Sequence, residues 1–61
     1  MELEILAYLE IGDLFHLSPN CTSPVWRIES RDGFNFLCKR CTDGYLKQIR
    51  SCRPVYRLKR F

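Results

Sequence analysis

Val25-Trp26-Arg27-Ile28-Glu29-Ser30-Arg31-Asp32-Gly33-Phe34-Asn35-Phe36-Leu37-Cys38 is the stretch that decides the fold. A β-branched, aromatic and half-polar run is followed, across an Asp-Gly pair, by a second apolar run. Asp-Gly between two such runs is the strongest short-range hairpin signal, because a type I′ turn needs positive φ at both central positions. With Asp32-Gly33 as a two-residue loop, Arg31 is expected opposite Phe34, Glu29 opposite Phe36 and Arg27 opposite Cys38 on one face. Ser30 then faces Asn35, Ile28 faces Leu37 and Trp26 faces Lys39 on the other. Trp26, the single tryptophan, is expected in the core between Val25 and Ile28.

Toward the C-terminus a second Asp-Gly, Asp43-Gly44, separates Lys39-Arg40-Cys41-Thr42 from Tyr45-Leu46-Lys47-Gln48-Ile49, so the meander continues. Arg50-Ser51-Cys52-Arg53-Pro54 interrupts it. Residues 55–61, Val55-Tyr56-Arg57-Leu58-Lys59-Arg60-Phe61, read as a last strand, with Pro54 placed where a ladder N–H is least needed. Toward the N-terminus, Leu3, Ile5, Ala7, Leu9 and Ile11 are apolar at every odd position, which predicts a strand over residues 3–11. A short helix is the rival there, since Glu, Leu and Ala are good helix formers and Gly12 can terminate one. Gly12-Asp13 then turns the chain into a short strand over residues 14–17, and Ser18-Pro19-Asn20-Cys21-Thr22-Ser23-Pro24 is the clearest loop.

The chain is therefore expected to be all-β: one domain over residues 1–61, a small antiparallel barrel of five or six short strands. The run Leu9-Glu10-Ile11-Gly12-Asp13-Leu14-Phe15-His16-Leu17, the Pro/Ser loop, the Trp-bearing strand and the two Asp-Gly hairpins together resemble the small SH3-like barrels. These include the short versions in phage and bacterial genomes and the KOW-type domains. The resemblance is one of fold and covers most of the chain. It implies a binding module that docks protein or nucleic acid.

Composition and size narrow the function. The chain has 61 residues, 46% of them hydrophobic and 13% aromatic, with three Gly and three Pro, which excludes a disordered or collagenous chain. A domain of about 60 residues buries only about 60% of its extended-chain surface. A substrate pocket of about 300 Å³ or more consumes much of such a core, so a non-enzymatic role is expected. The longest apolar run is Ile5-Leu6-Ala7-Tyr8-Leu9, far short of the roughly 18 residues of a membrane span. Glu2 and Glu4 stand where a secretory signal carries Lys or Arg, so a cytoplasmic location is expected.

The net charge of +3 conceals a division. Residues 1–30 carry Glu2, Glu4, Glu10, Asp13 and Glu29 against Arg27 alone. Residues 31–61 carry Arg31, Lys39, Arg40, Lys47, Arg50, Arg53, Arg57, Lys59 and Arg60 against Asp32 and Asp43. A basic second half of this kind is suited to meeting phosphate or an acidic protein surface, unless folding sets acid beside base as cross-strand pairs. Lys39, Arg40, Lys47, Arg50, Arg53, Tyr56, Arg57, Lys59 and Arg60 are the candidate contact residues. A protein partner is the preferred reading. Guanidinium groups interleaved with aromatics also suit single-stranded nucleic acid, which is the alternative.

The four cysteines supply a further alternative. Cys38 and Cys41 lie three positions apart near a turn, and with Cys21 and Cys52, or with His16 in place of one of them, they make up a four-ligand zinc set. Against this, Cys38 and Cys41 have opposite parity on a regular strand, so they point to opposite faces unless the strand ends between them. As buried thiols they act as small apolar side chains. A redox Cys-x-x-Cys is expected at a helix start, and no helix is predicted there. His16, the only histidine, has no nucleophile or acidic partner at an identifiable spacing, and is expected to be a strand residue, exposed or hydrogen-bonded.

Overall fold

In the computed structural model, which describes residues 2–20 and 22–58, the chain is all-β. Six strands, β1 (Glu2–Ile5), β2 (Leu14–His16), β3 (Val25–Asp32), β4 (Asn35–Arg40), β5 (Leu46–Arg50) and β6 (Pro54–Arg57), form one sheet in the order β1-β6-β2-β3-β4-β5. Every pairing is antiparallel. Among the described residues no ladder joins β1 to β5, so the sheet is open and has two edges.

The central hairpin forms, in a different register from that expected. Asp32 stands opposite Asn35, which leaves Gly33-Phe34 as the two-residue loop. Gly33 has φ +60° and no other residue type among those described has positive φ. The turn thus places its one left-handed residue at the first central position, the II′ pattern, and needs nothing unusual of Asp32. Continued without a break, this register would set Glu29 opposite Cys38 and turn Arg27 and Glu29 to the core. A bulge prevents that: Ser30 pairs with Leu37 but Ile28 pairs with Cys38, so Glu29 is the extra residue. The inserted residue flips the parity of β3, because side chains alternate strictly along a strand. Trp26 and Ile28 consequently meet Phe36 and Cys38 in the core, and the expected pairs Glu29–Phe36 and Arg27–Cys38 do not form.

The N-terminal segment also differs from its period-two reading. The strand ends at Ile5 and a 3-10 turn, Leu6–Tyr8, follows. Leu6 and Leu9 are fully buried, whereas Leu3 is 62% and Ile11 59% exposed. In a 3-10 turn residues three apart eclipse, so Leu6 and Leu9 enter the core together. The N–H groups of Leu6 and Ala7 donate to the carbonyls of Arg53 and Ser51 at 2.9 Å, which fixes this turn on the segment that follows β5.

The core comprises Leu6, Leu9, Phe15, Trp26, Ile28, Phe36, Cys38, Ile49 and Val55, with Leu17 packed against it. Arg31, on the core side of β3 beyond the bulge, roofs one end: its guanidinium lies 5.0 Å from the centre of the Phe36 ring and donates to the Leu9 carbonyl at 3.0 Å. Asp13 is buried in the turn before β2, where its carboxylate accepts the Glu10 N–H at 2.8 Å. β6 starts at Pro54, as the absence of its N–H suggests. Of the strand predicted over residues 55–61, β6 ends at Arg57, Leu58 follows it with its N–H donating to Leu14 O at 3.1 Å, and Lys59 onward lies outside the described residues.

Candidate docking groove

The basic second half is divided by ion pairing. Arg40 is fully engaged: Asp43 accepts from its Nε at 2.9 Å and from its Nη2 at 2.6 Å, and the guanidinium lies 5.0 Å from the Tyr45 ring and 5.7 Å from that of Trp26. The Arg40 hydrogen bonds, followed by the Tyr45 backbone N–H, hold the Asp43 carboxyl at about 2. Arg57 donates to Glu4 at 3.4 Å and Arg27 to Glu29 at 2.8 Å. The hydrogen bond to Arg27 lowers the Glu29 pKa. Arg31 spends its guanidinium on the Leu9 carbonyl and the Phe36 ring, and of the candidate contact residues Lys39, Lys47, Arg50 and Arg53 are left, among the described residues, with no ion pair.

Three of these four cations converge. Lys47, Arg50 and Arg53 line a groove of about 300 Å³ together with Leu17, Ile49 and Cys52, and Gln48 completes it. An adjoining hollow of about 410 Å³ shares Arg50 and Cys52 and extends to Phe34, which is 87% exposed at the tip of the central hairpin. Lys39 sits elsewhere, beside Arg27 and Cys41 in a recess of about 200 Å³. Tyr56, in register with Leu3 and His16, lies on β6 away from the groove. Lys59 and Arg60 lie outside the described residues.

Four consecutive residues of β5 line the groove because it runs along the free edge of that strand. The β4–β5 ladder is bracketed by Arg40 N–H donating to Tyr45 O and Ser51 N–H donating to Phe34 O, both at 2.8 Å. Antiparallel bonding alternates, so Lys47 and Ile49, opposite Cys38 and Phe36, bond inward to β4. The N–H and C=O groups of Leu46, Gln48 and Arg50 therefore face outward. Of these, the Arg50 carbonyl accepts from Arg53 N–H at 3.1 Å.

The candidate metal ligands are distributed differently. Cys38 is buried on the core face, where burial pushes its thiol up to about 11, and its Sγ donates to Phe36 O at 3.6 Å. β4 ends at Arg40, so Cys41 is exposed in the turn that follows, and Cys52 is exposed in the groove. Among the described residues no three His, Cys, Asp or Glu side chains gather as metal ligands, and Cys21 lies outside those residues. His16 is buried, with Nδ1 2.9 Å from Ser23 Oγ and 3.2 Å from the Pro24 carbonyl. A carbonyl only accepts, so Nδ1 carries the proton of that contact and ties the loop to β2. Among the described residues no helix is long and apolar enough to cross a membrane.

Sequence reasoning named the three cations of the groove but not Leu17, Gln48 or Phe34. Their signal is positional: they matter because β5 is an edge, and strand order is not written in local sequence. Comparison with protein-family models, with curated proteins and with solved structures gives no match.

Proposed function

We propose that this chain is a non-enzymatic binding module that docks an acidic protein surface through the groove beside β5. The carrying observation is the selective absence of counter-ions: Arg27, Arg40 and Arg57 are neutralised within the fold, while Lys47, Arg50 and Arg53 share one groove without an acid. Unpaired cations around an apolar floor favour a partner that brings the missing carboxylates. The single sheet around one core, with a long loop between β2 and β3, supports reading the fold as a small SH3-like or KOW-like barrel, a type used chiefly for docking.

A nucleic-acid reading has one observation in its favour: Phe34 stands exposed beside Arg50, an arrangement on which a base can stack while its phosphate meets the guanidinium. Fluorescence titration with an acidic peptide and with oligothymidylate separates the two. The peptide is expected to bind and the triple charge reversal Lys47→Glu, Arg50→Glu, Arg53→Glu to abolish its binding. Tighter binding of the oligonucleotide, weakening steeply with salt, supports the alternative.

A further inference from the structure

We infer that the groove takes its partner by strand addition: an extended acidic segment of another protein pairs with the free edge of β5 as a seventh strand. This rests on the docking function proposed above and specifies its geometry. The outward N–H and C=O groups of Leu46 and Gln48, with the Arg50 N–H, form a ready template, and main-chain pairing of this kind supplies affinity while pockets for alternate side chains supply specificity. Burial along β5 agrees with an unfilled edge, since Ile49 is its one buried residue and Leu46, Lys47, Gln48 and Arg50 are exposed.

The register dictates the occupant's chemistry. Side chains paired across a sheet share a face, so an antiparallel segment sets one residue against Arg50 on the outer face, the next against Ile49 on the core face, the next against Gln48, and the next against Lys47. Charge complementarity makes the first and last of these acidic, and the apolar floor of Ile49 and Leu17 makes the second apolar. The predicted pattern is acid, apolar, any, acid. In the paired register the N–H of the residue opposite Gln48 donates to β5, while that of the residue opposite Ile49 points away.

The test uses the whole chain and a labelled, end-blocked peptide Thr-Glu-Val-Thr-Glu-Val, whose Glu-Val-Thr-Glu fits the register. N-methylation of the threonine in that quartet removes the donor aimed at Gln48 and is expected to weaken binding by about tenfold, the worth of about one hydrogen bond. N-methylation of the preceding valine is expected to change little. If both methylated peptides bind like the parent, strand addition is overturned while docking by charge stands. If no peptide binds but oligothymidylate does, the partner class is overturned, and if neither binds at low salt the docking function falls with it. A second arm is Gln48→Pro, which deletes an outward N–H that β4 does not use and is expected to fold yet lose the peptide. Because proline also restricts φ, amide exchange of the unaltered chain carries the same question. The Gln48 amide is expected to exchange freely alone and to slow by about tenfold or more when the peptide saturates the groove, as a hydrogen-bonded ladder amide does. Unchanged exchange at saturation overturns the inference.

Discussion

The two edges of the sheet meet the same physical difficulty in opposite ways. An edge strand offers unpaired backbone groups to any passing chain, and charge along the strand is a common guard. At β1 the guard is acidic and partly answered from within, since Glu4 receives Arg57 of the neighbouring strand. No residue of β1 is buried, and the chain then turns through Leu6–Tyr8 to plug the core. At β5 the guard is basic, Lys47 and Arg50 have no internal counter-ion among the described residues, and Ile49 anchors the strand in the core. One edge is a lid for the molecule's own interior. The other is held firmly with its charges left open, which is what a docking surface needs.

This contrast breaks most sharply by core truncation. Ile49→Ala removes the one buried side chain of β5 and is expected to cost about 2–4 kcal/mol, a large share of the stability of so small a domain. Leu3→Ala, on the exposed β1, is expected within about 0.5 kcal/mol of the parent. Urea denaturation of both variants measures the difference, and equal losses would mean that the two edges are anchored alike.

The turn that launches β5 gives a smaller effect, read through pH. Asp43 is held at about 2, below its ordinary 3.8, first by Arg40 and then by the Tyr45 N–H. A carboxyl depressed in the folded state contributes stability above its unfolded pKa and loses it as pH falls through the folded one. The loss therefore spans from about pH 4 down to about pH 2. Asp43→Asn is expected to lower the melting temperature slightly at neutral pH and to flatten the acid limb in that window. A variant whose acid limb matches the parent's would show that the Arg40–Asp43 pair does not tether the entry to β5. At the alkaline end Cys38 acts in the opposite sense: its burial-raised pKa makes stability fall as pH rises from about 9 to about 11.

How much of this was legible in the sequence can be seen at the two Asp-Gly pairs. Both mark turns, as their chemistry requires, yet in the first the loop is Gly33-Phe34 and in the second Asp43 spends its carboxylate on Arg40 and Tyr45. Local sequence announces the turn. Which residues occupy its corners depends on the core, since only a register with a bulge at Glu29 turns both Trp26 and Ile28 inward. The odd-position pattern of residues 3–11 misled for the same reason: the N–H groups of Leu6 and Ala7 are held by the carbonyls of Arg53 and Ser51, more than forty positions away, and the turn fixed there buries Leu6 and Leu9. The groove was half legible. Lys47, Arg50 and Arg53 stand out as bases, and Arg40 has its acid, Asp43, three positions away in the same turn, but nothing near Arg57 in sequence tells that Glu4 neutralises it. That pair comes from strand order, which sets β1 beside β6.

The smallest effect is also the most discriminating between the edges. Glu4→Gln deletes the acid that answers Arg57 at the β1 side, and a partly exposed pair at 3.4 Å is worth well under about 1 kcal/mol. A slight fall in melting temperature is expected, with acidic-peptide affinity unchanged, because Arg57 lies outside the groove. Arg50→Gln makes the same change of charge magnitude at β5 with the opposite pattern. No internal partner is lost, so stability should hold, while peptide affinity falls and its dependence on salt becomes shallower as one ionic contact disappears. Measured side by side, melting temperature and peptide affinity should move in separate variants. If Arg50→Gln destabilises the fold as much as Glu4→Gln does, the cations beside β5 belong to the protein's own architecture and the two edges do the same work.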